Sequence, residues 1–461
     1  MKSALTLLTT AALLAACAGP EPKKPAAAEA AQAALPAATF PGAELAATGG
    51  TAAAALPWAQ AFQGARLQRL IPLALANNRD LRVAAANIES ARATAQARNA
   101  DLWPTVNAGL TGSRSPNSSG GINSSYQAGL QVSAYELDLF GRLRSLDAAA
   151  QAQLLAAEAN QQAVRIALVA AVATAEIALQ ADEALLKITR DTLASREQSL
   201  QLLRQRFEGG VIGEMDLRSG ESTLQAARVA FAQTQRQRAL DENALVLLLG
   251  TALPADLPPP TGELADFEPL AELPPGVPSE VLTRRPDIRQ AEQALAAADA
   301  NIDAARAAFF PRITLTGMYG TASSHLSDLF KQSAWSFAPS LVQPLFDAGR
   351  NRANLASARA ARDAATAQYE KAIQSAFRDV ADALAGRATL AEQRTAQAAQ
   401  VDAEARRLAL SEQRYQAGIA SSLDLLDSQR SLFTAQQALV QVQSQRAQNL
   451  VAAYRVLGGG L

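Results

Sequence analysis

The chain is poor in the residue types on which most protein chemistry depends. Its 461 residues include one cysteine, one histidine and three methionines, and its formal net charge is -1. A single cysteine excludes a disulfide within the chain and a site built from several thiols. Charges of both signs are mixed along the sequence without a basic patch, so no nucleic-acid partner is expected.

Motifs typical of an active site are also missing. The sequence contains no phosphate-binding loop, no nucleophile motif and no metal-ligand spacing. The only histidine, His325, lies in a Ser-rich loop, where a solvated side chain is expected rather than a metal ligand. We therefore predict that the protein is not an enzyme and needs no cofactor and no metal.

The N-terminal residues are predicted to be the export signal of a lipoprotein. A short apolar core ends in Leu14-Ala15-Ala16-Cys17, which resembles a lipobox. We expect a signal peptide at 1–16 and several acyl chains on Cys17, which would anchor the mature chain in a membrane. Residues 17–57 are rich in Ala and Pro and are predicted to be a lipid-anchored tether.

One long unit occurs twice in the chain, the second copy following the first by about 208 residues. Arg206-Phe207-Glu208-Gly209-Gly210 reappears as Arg414-Tyr415-Gln416-Ala417-Gly418, and Trp103-Pro104 reappears as Phe310-Pro311. The predicted organisation is a first repeat, a proline-rich crossover in an equatorial region and a second repeat, at 58–250, 251–278 and 279–461.

Each repeat is predicted to contain two long helices that pack side by side. Apolar residues of the first helix recur every seven positions: Val172, Leu179, Leu186, Leu193, Leu200 and Phe207. This spacing is typical of coiled-coil packing. Arg387 and Arg394 replace two of these leucines in the second copy, which predicts a more polar seam there. The four long helices are predicted at 142–207, 214–250, 350–415 and 421–457, and rods of about 100 Å are too long for one globular domain.

Each repeat also contains a predicted β-hairpin, at 105–135 and at 312–343. Pro104 and Pro311 end the preceding helices, because the residue before a proline is pushed out of the α region, and apolar and polar residues then alternate. Strands of about nine to eleven residues have the length of tilted membrane strands, and no transmembrane helix is predicted beyond the signal. Pro339 in the last strand is expected to cause a bulge or bend.

Four strands are too few to close a membrane barrel. Each unpaired backbone group in hydrocarbon costs several kcal/mol, and membrane barrels begin at about eight strands. Membrane strands would therefore require a closed homo-oligomer. Two other interpretations remain open: a soluble four-stranded sandwich that caps a stalk, and a lipid-anchored coiled-coil protein with a structural or adhesive function.

The junctions between strands and long helices resemble those of the TolC-type outer-membrane efflux factors. The matching segments are Tyr135 to Arg144, Arg284 to Arg289, Gln343 to Arg350 and Arg414 to Arg430. The lipobox resembles the lipoprotein branch that serves resistance-nodulation-division pumps. The resemblance implies a mainly α fold with a membrane β-barrel part: a homotrimer in which twelve strands close one barrel in the outer membrane and twelve helices form a periplasmic α-barrel.

The same resemblance implies a function and a set of partners. The chain would be the exit duct of a tripartite efflux pump that passes small toxic compounds to the exterior. Its partners would be a periplasmic adaptor, an inner-membrane pump of the resistance-nodulation-division type reached indirectly or through the adaptor, and outer-membrane lipid. The alternative within the same family is the outer-membrane duct of a type I protein secretion system.

The resemblance also implies a gate at the helical turns. Carboxylates at the positions of Asp424 and Asp427 would hold the periplasmic end of the tube shut until an adaptor binds. Tyr415 and Arg430 match linking groups of this closure, and Leu423 is expected to add an apolar constriction. Helix capping by itself also explains Asp424. The turn residues expected to contact the adaptor are Gly209, Gly210, Val211, Gly213, Gly418, Ile419 and Ala420.

Overall fold

The computed structural model describes residues 57–62, 64–118, 120–262, 264 and 285–459. The predicted signal peptide, Cys17, the tether up to residue 56 and most of the crossover lie outside the described residues.

Each repeat has the same order of elements: a helix, a β-hairpin and two long antiparallel helices. The first repeat opens with two short helices and consists of α1 (Trp58–Ala61), α2 (Ala65–Asn77), α3 (Arg79–Ala100), β1 (Val106–Pro116), β2 (Ile122–Leu137), α4 (Arg142–Glu208) and α5 (Glu214–Leu249). The second consists of α6 (Pro286–Ala307), β3 (Arg312–Ser323), a 3-10 turn (Leu326–Asp328), β4 (Ser333–Val342), α7 (Arg350–Gln416) and α8 (Ser422–Val456). The predicted mainly α fold with a strand part and an internal duplication is confirmed.

Glycines set where the longest helices begin and end. Gly141 and Gly349, with φ of 79° and 86°, precede α4 and α7. Gly210 and Gly418, with φ of 69° and 73°, turn the chain at the far ends of these helices. Positive φ is cheap only for glycine, so these positions end the strands and the helices abruptly. Both α4 and α7 have 67 residues and are therefore about 100 Å long.

One expectation about α4 needs correction. By length and composition, α4 contains a stretch that could cross a membrane, although the sequence reading predicted no such segment. Less than half of this stretch is buried within one copy. The middle of α4 lies in the core, where Val172 and Ile177 are fully buried and Glu176 between them pairs with Arg66 of α2, Nε to Oε1, at 2.6 Å. A buried core helix passes the same composition test as a membrane helix.

The two hairpins join into one antiparallel sheet in the order β1-β2-β3-β4. The β2–β3 pairing connects the repeats and places Gly129 opposite Gly320. A Cβ on Gly129 would lie 2.4 Å from the Tyr319 carbonyl oxygen, and one on Gly320 would lie 2.1 Å from the Ala128 carbonyl oxygen. The close approach of the strands therefore requires glycine at both positions. Among the described residues, β1 and β4 have no strand partner on their outer edges.

The expected bulge at Pro339 is absent, and the irregularity lies elsewhere. Pro339 pairs with Leu315 in an unbroken β3–β4 register. β4 is an edge strand of the protomer, where the missing N–H of proline is tolerated. The β2–β3 register shifts instead between Val132 and Tyr135, where Ala134 has a φ of 52° and donates its N–H to Thr316 Oγ1 at 3.2 Å.

The main core surrounds the middle of α4. Segments from both ends of the described chain pack on this helix, with Phe62 edge-on to Tyr454 at 5.1 Å between ring centroids. Part of the proline-rich crossover also packs here: Gln180 Oε1 of α4 accepts the backbone N–H groups of Thr261 and Gly262, each at 3.0 Å. The core thus joins residues of the first repeat, the crossover and α8 around the middle of α4.

Candidate functional site

The predicted contact residues lie on two turns that have the same backbone geometry. Val211 N–H donates to the Arg206 carbonyl and Ile419 N–H donates to the Arg414 carbonyl, each at 2.9 Å. This bond from the third residue beyond the helix end is the Schellman motif that a positive-φ glycine permits. Val211 and Ile419 are both exposed. Each turn therefore presents an apolar side chain beside small residues.

Asp424 forms a capping box at the start of α8. Its backbone N–H donates to Ser421 Oγ at 3.2 Å, and its Oδ2 accepts the Ser421 backbone N–H at 3.2 Å. These bonds satisfy two donors that a helix start leaves unpaired. The structure thus gives Asp424 a local structural role, and within the described part of the chain its hydrogen bonds go to Ser421 and Ser428 and not to the other predicted gate residues.

Asp427 lies between two arginines. Its Oδ2 accepts from Arg407 Nη2 at 2.6 Å and its Oδ1 accepts from Arg430 Nη2 at 2.6 Å. The hydrogen bond from Arg407, followed by that from Arg430, lowers the pKa of Asp427 below its ordinary value. The same bond raises the pKa of Arg407. The carboxylate therefore stays ionised and holds α8 to α7 by a charge-assisted contact.

Tyr415 is separated from that ion-pair cluster within the protomer. Its ring is buried against Leu203 and Leu425, and the Arg206 guanidinium lies 4.3 Å from the ring centroid. The Tyr415 hydroxyl has no hydrogen-bond partner among the described residues. The structure therefore joins Asp427 to Arg430 but leaves Tyr415 at the base of the turns, where it links the two helical hairpins.

Leu423 lines a cavity of about 360 Å³ between α4, α5 and α8. The cavity is lined mainly by apolar and small side chains, with Asp427 and Arg430 on its α8 side. The buried Arg196 of α4 also lines the cavity and hydrogen-bonds Gln429, and Gln429 Nε2 donates to Ser199 Oγ at 3.0 Å. Burial lowers the pKa of Arg196. The exposed Leu423 side chain and the Asp427 cluster thus belong to one face of α8.

Two of these arginines, Arg196 and Arg407, were not predicted. Arg407 precedes Asp427 by twenty residues across the α7–α8 turn, and antiparallel helices bring residues equidistant from a turn together. Ser411 and Ser428 meet in the same way, with their hydroxyl oxygens 2.8 Å apart. Counting outward from the turn would have identified Arg407. Arg196 carries no such signal, because its partner Gln429 belongs to the other repeat.

Across the described residues, no group of three His, Cys, Asp or Glu side chains could hold a metal ion.

Residues 70–251 and 277–459 each match the sequence model of a family described as outer membrane efflux protein. The chain is 47% identical over 418 residues to the antibiotic efflux pump outer membrane protein ArpC of Pseudomonas putida, covering 89% of this chain and 86% of that protein. The toluene efflux pump outer membrane protein TtgC of Pseudomonas putida shows the same identity and coverage. The crystal structure of the open state of the Neisseria gonorrhoeae MtrE outer membrane channel is similar with a TM-score of 0.83 and 39% identity, over 96% of this chain and 98% of that one.

Proposed function

Because this chain belongs to the outer membrane efflux protein family, we propose that three copies assemble into one closed duct through which a tripartite pump discharges its cargo. The protein acts in the outer membrane and extends into the periplasm as an efflux channel. Its assembly with an adaptor and an inner-membrane pump follows from the efflux systems to which its relatives belong. Those relatives are channel proteins rather than enzymes, and no catalytic step is assigned to this chain.

The observation that carries the proposal is the open sheet. Its two outer edges lack partners among the described residues, and unpaired edges are not tolerated in hydrocarbon. Paired residues form rows across the sheet: Ala108, Leu130, Tyr319 and Trp335 in one row, and Asn107, Gln131, Met318 and Ser336 in the next. Adjacent rows point to opposite faces. We assign the first face to lipid and the second to the lumen of a barrel of twelve strands.

The gate is proposed to be the α7–α8 hairpin of each copy. Asp427 and Arg430 would project into the tube, since the Arg430 side chain is exposed. Leu423 would add an apolar ring beside them, while Tyr415 and Asp424 hold the turn in shape. Arg407 holds Asp427 from the α7 side. A rotation of α8 that opens the tube must therefore break or carry along this ion pair.

Conductance in planar bilayers tests the duct and the gate. The wild-type trimer should conduct weakly, and the double variant Asp427→Ala/Arg430→Ala should conduct at least severalfold more. Glu214→Ala/Arg218→Ala is the matched control, because it removes an exposed ion pair of 3.1 Å on α5, close to the other turn. An unchanged conductance in the first variant would remove Asp427 and Arg430 from the gate, and a protein that never conducts would contradict the duct.

The turns are proposed to meet the adaptor. Small residues in both turns allow close backbone approach: Gly209, Gly210 and Gly213 in one turn, and Gly418 and Ala420 in the other. Val211 and Ile419 supply apolar contact. A photocrosslinker at Ala420 should capture the adaptor in cells with a working pump. A crosslinker at Glu404, which lies on α7 away from the turn, is the control. No capture from Ala420 would count against this docking site.

The cargo is proposed to be small toxic organic compounds, in keeping with the antibiotics and toluene in the names of the relatives. Deletion of the gene in its native host should raise susceptibility to such compounds. Complementation by the intact gene should restore resistance, and unchanged susceptibility across a panel of antibiotics and solvents would contradict the assignment.

A further inference from the structure

We infer that the cavity between α4, α5 and α8 binds a small organic anion with an apolar body, whose carboxylate pairs with Arg196. All the residues that line this cavity belong to one copy of the chain. The inference therefore goes beyond the proposed duct and does not rest on the assembly of three copies.

The starting observation is that Arg196 is a buried cation without an anionic partner. Its side chain is buried, with an exposed fraction of 6% for the residue. Within the described part of the chain its one hydrogen bond goes to the side-chain oxygen of Gln429, which is a neutral amide. Burial lowers the pKa of Arg196, because the charged form has lost water without gaining a counter-charge.

Arg285 shows how this chain satisfies a guanidinium that it buries. Among the described residues, Arg285 is the other buried arginine, and it donates to both oxygens of Asp287, at 3.1 and 2.8 Å. It also donates to the Val456 carbonyl at 2.9 Å. A buried charge is costly unless it is paired and hydrogen-bonded. By comparison, Arg196 has N–H donors left for a partner that the described residues of one copy do not supply.

The unpaired donors of Arg196 face open space, since none of them is enclosed by protein. That space includes the cavity of about 360 Å³, which Arg196 lines. Ligand pockets typically measure about 300–1,000 Å³ and have mostly apolar walls with a few polar groups. Here the apolar wall includes Ala227 of α5 with Leu426 and Phe433 of α8. The cavity thus offers one buried cation beside surfaces that suit an aliphatic or aromatic body.

The other charged groups that line the cavity also favour an anion. They are Arg430 and Asp427, so the lining carries two arginines and one carboxylate. Each oxygen of Asp427 already accepts from an arginine, Arg407 or Arg430. The Asp427 carboxylate is therefore occupied, and the guanidinium of Arg196 remains available. A planar guanidinium matches the geometry of a carboxylate, which it can bind through two parallel hydrogen bonds.

Calorimetric titration of the full lipidated protein in lipid nanodiscs tests the site. The probe is naphthoate, an aromatic carboxylate that fits the cavity, and naphthamide is the neutral compound of the same shape. Naphthoate should bind, and naphthamide should bind about tenfold more weakly or worse, because hydrogen bonds to charged groups are stronger than neutral ones. Titration of empty nanodiscs corrects for partition into lipid.

Removal of the cation should affect only the anionic probe. Arg196→Met should weaken naphthoate binding about tenfold or more and leave naphthamide binding nearly unchanged. Arg228→Met is the matched control, because Arg228 is an exposed arginine of α5 that pairs with Glu197 at 3.5 Å and does not line the cavity. This control should bind naphthoate as the wild type does.

A second variant keeps Arg196 and fills the cavity instead. Ala226→Phe adds a ring to the α5 wall and should weaken the binding of both probes. Gln225→Phe, at the neighbouring exposed position outside the cavity, should change neither. This comparison and the comparison of the two probes on the wild type remain informative even where Arg196→Met fails to fold.

Thermal melting in nanodiscs gives an independent measurement, because a ligand that binds the folded state raises its stability. Naphthoate should raise the melting temperature of the wild type and of Arg228→Met, but not that of Ala226→Phe. Equal binding of naphthoate and naphthamide would overturn the anion site, and so would naphthoate binding that Ala226→Phe leaves unchanged. No binding at all would mean that water or a neighbouring copy satisfies Arg196, and would overturn it too. Each of these failures leaves the duct standing, since conductance tests the duct separately.

Discussion

At the residue scale, two carboxylates respond to their surroundings in opposite ways. Asp427 is held ionised by two arginines at the tip, whereas Asp182 is buried in the middle of α4. Burial, together with a hydrogen bond to Asp241 of α5, raises the pKa of Asp182 to about 7. Asp182 Oδ2 has no partner among the described residues. The Asp427 carboxylate stays charged and keeps its ion pairs, whereas the Asp182 carboxyl is protonated below neutral pH.

The raised pKa of Asp182 predicts a pH-dependent stability. Between about pH 4 and 7 the folded state holds a proton that the unfolded state releases, so stability should fall as pH rises through this window. Asp182→Asn should remove this slope and raise the melting temperature at pH 8 by a few degrees. Melting followed by circular dichroism at pH 5 and pH 8 measures it.

Asp191→Asn, an exposed site on the same helix, is the control for Asp182 and should keep the wild-type slope. The melting temperature of the wild type could instead rise from pH 5 to pH 7, with the same rise in Asp182→Asn. This result would contradict the claim that Asp182 holds a proton in the folded state.

If Asp427 belongs to the proposed gate, its lowered pKa predicts that opening is insensitive to mild acid. A carboxylate whose pKa is lowered in the folded state keeps its ion pairs at every pH above its ordinary pKa of about 3.9. It loses them only as the pH falls through the lower pKa of the folded state. Conductance should therefore stay constant from pH 8 to pH 5 and rise only below about pH 4. Bilayer recordings across this range check it, and a rise between pH 7 and pH 5 would show that another group controls opening.

Residue-level prediction succeeded where a local signal exists. Ser421 with Asp424 is a capping pair visible in the sequence, and the cap is present. Tyr415 was grouped with Asp427 only by resemblance, and within the protomer it contacts Arg206 instead. The Arg196–Gln429 bond depends on how two repeats dock, which no local pattern encodes.

At the element scale, the long helices α4 and α7 have the same length but differ in the polarity of the residues along their packed faces. Leu179 and Leu186 are buried in α4, whereas the matching Arg387 and Arg394 of α7 are half-buried. The boundaries of these helices were readable from the sequence because glycines flank proline-free stretches: α4 spans Arg142–Glu208 and the sequence indicated 142–207. The irregularity at Ala134 was not readable, since neither proline nor glycine marks it.

The β2–β3 pairing, which joins the repeats, predicts a strict need for glycine. Gly320→Val should place a side chain against the β2 backbone, where a Cβ would already lie 2.1 Å from an oxygen. Overpacking typically costs about 1–3 kcal/mol, and a clash with backbone relaxes poorly. The fraction of protein that survives as a heat-resistant oligomer on a denaturing gel should drop sharply.

Gly317→Val is the matched control on the same strand, because its Cβ would lie 3.6 Å from the nearest atom, the Ser336 oxygen. This variant should assemble nearly as well as the wild type. Equal assembly of the Gly320→Val and Gly317→Val variants would show that the β2–β3 approach is looser than described.

At the scale of the whole molecule, each chain forms an open layer of helices and strands that does not close on itself. Helices and strands follow one another in the same open series, and both series end in surfaces that have no partner within the described part of one copy. The sequence indicated this incompleteness, because four strands cannot close in a membrane. It did not indicate which side chains meet between copies, because those contacts depend on how the copies pack and not on a local pattern.

Native mass spectrometry of the lipidated protein, released from detergent micelles, measures how many chains form the duct. We expect one dominant species that contains three chains, stable across a tenfold range of protein concentration. A species of one chain that remains folded and soluble after detergent is removed would contradict it, because such a chain would have satisfied both edges of its sheet alone.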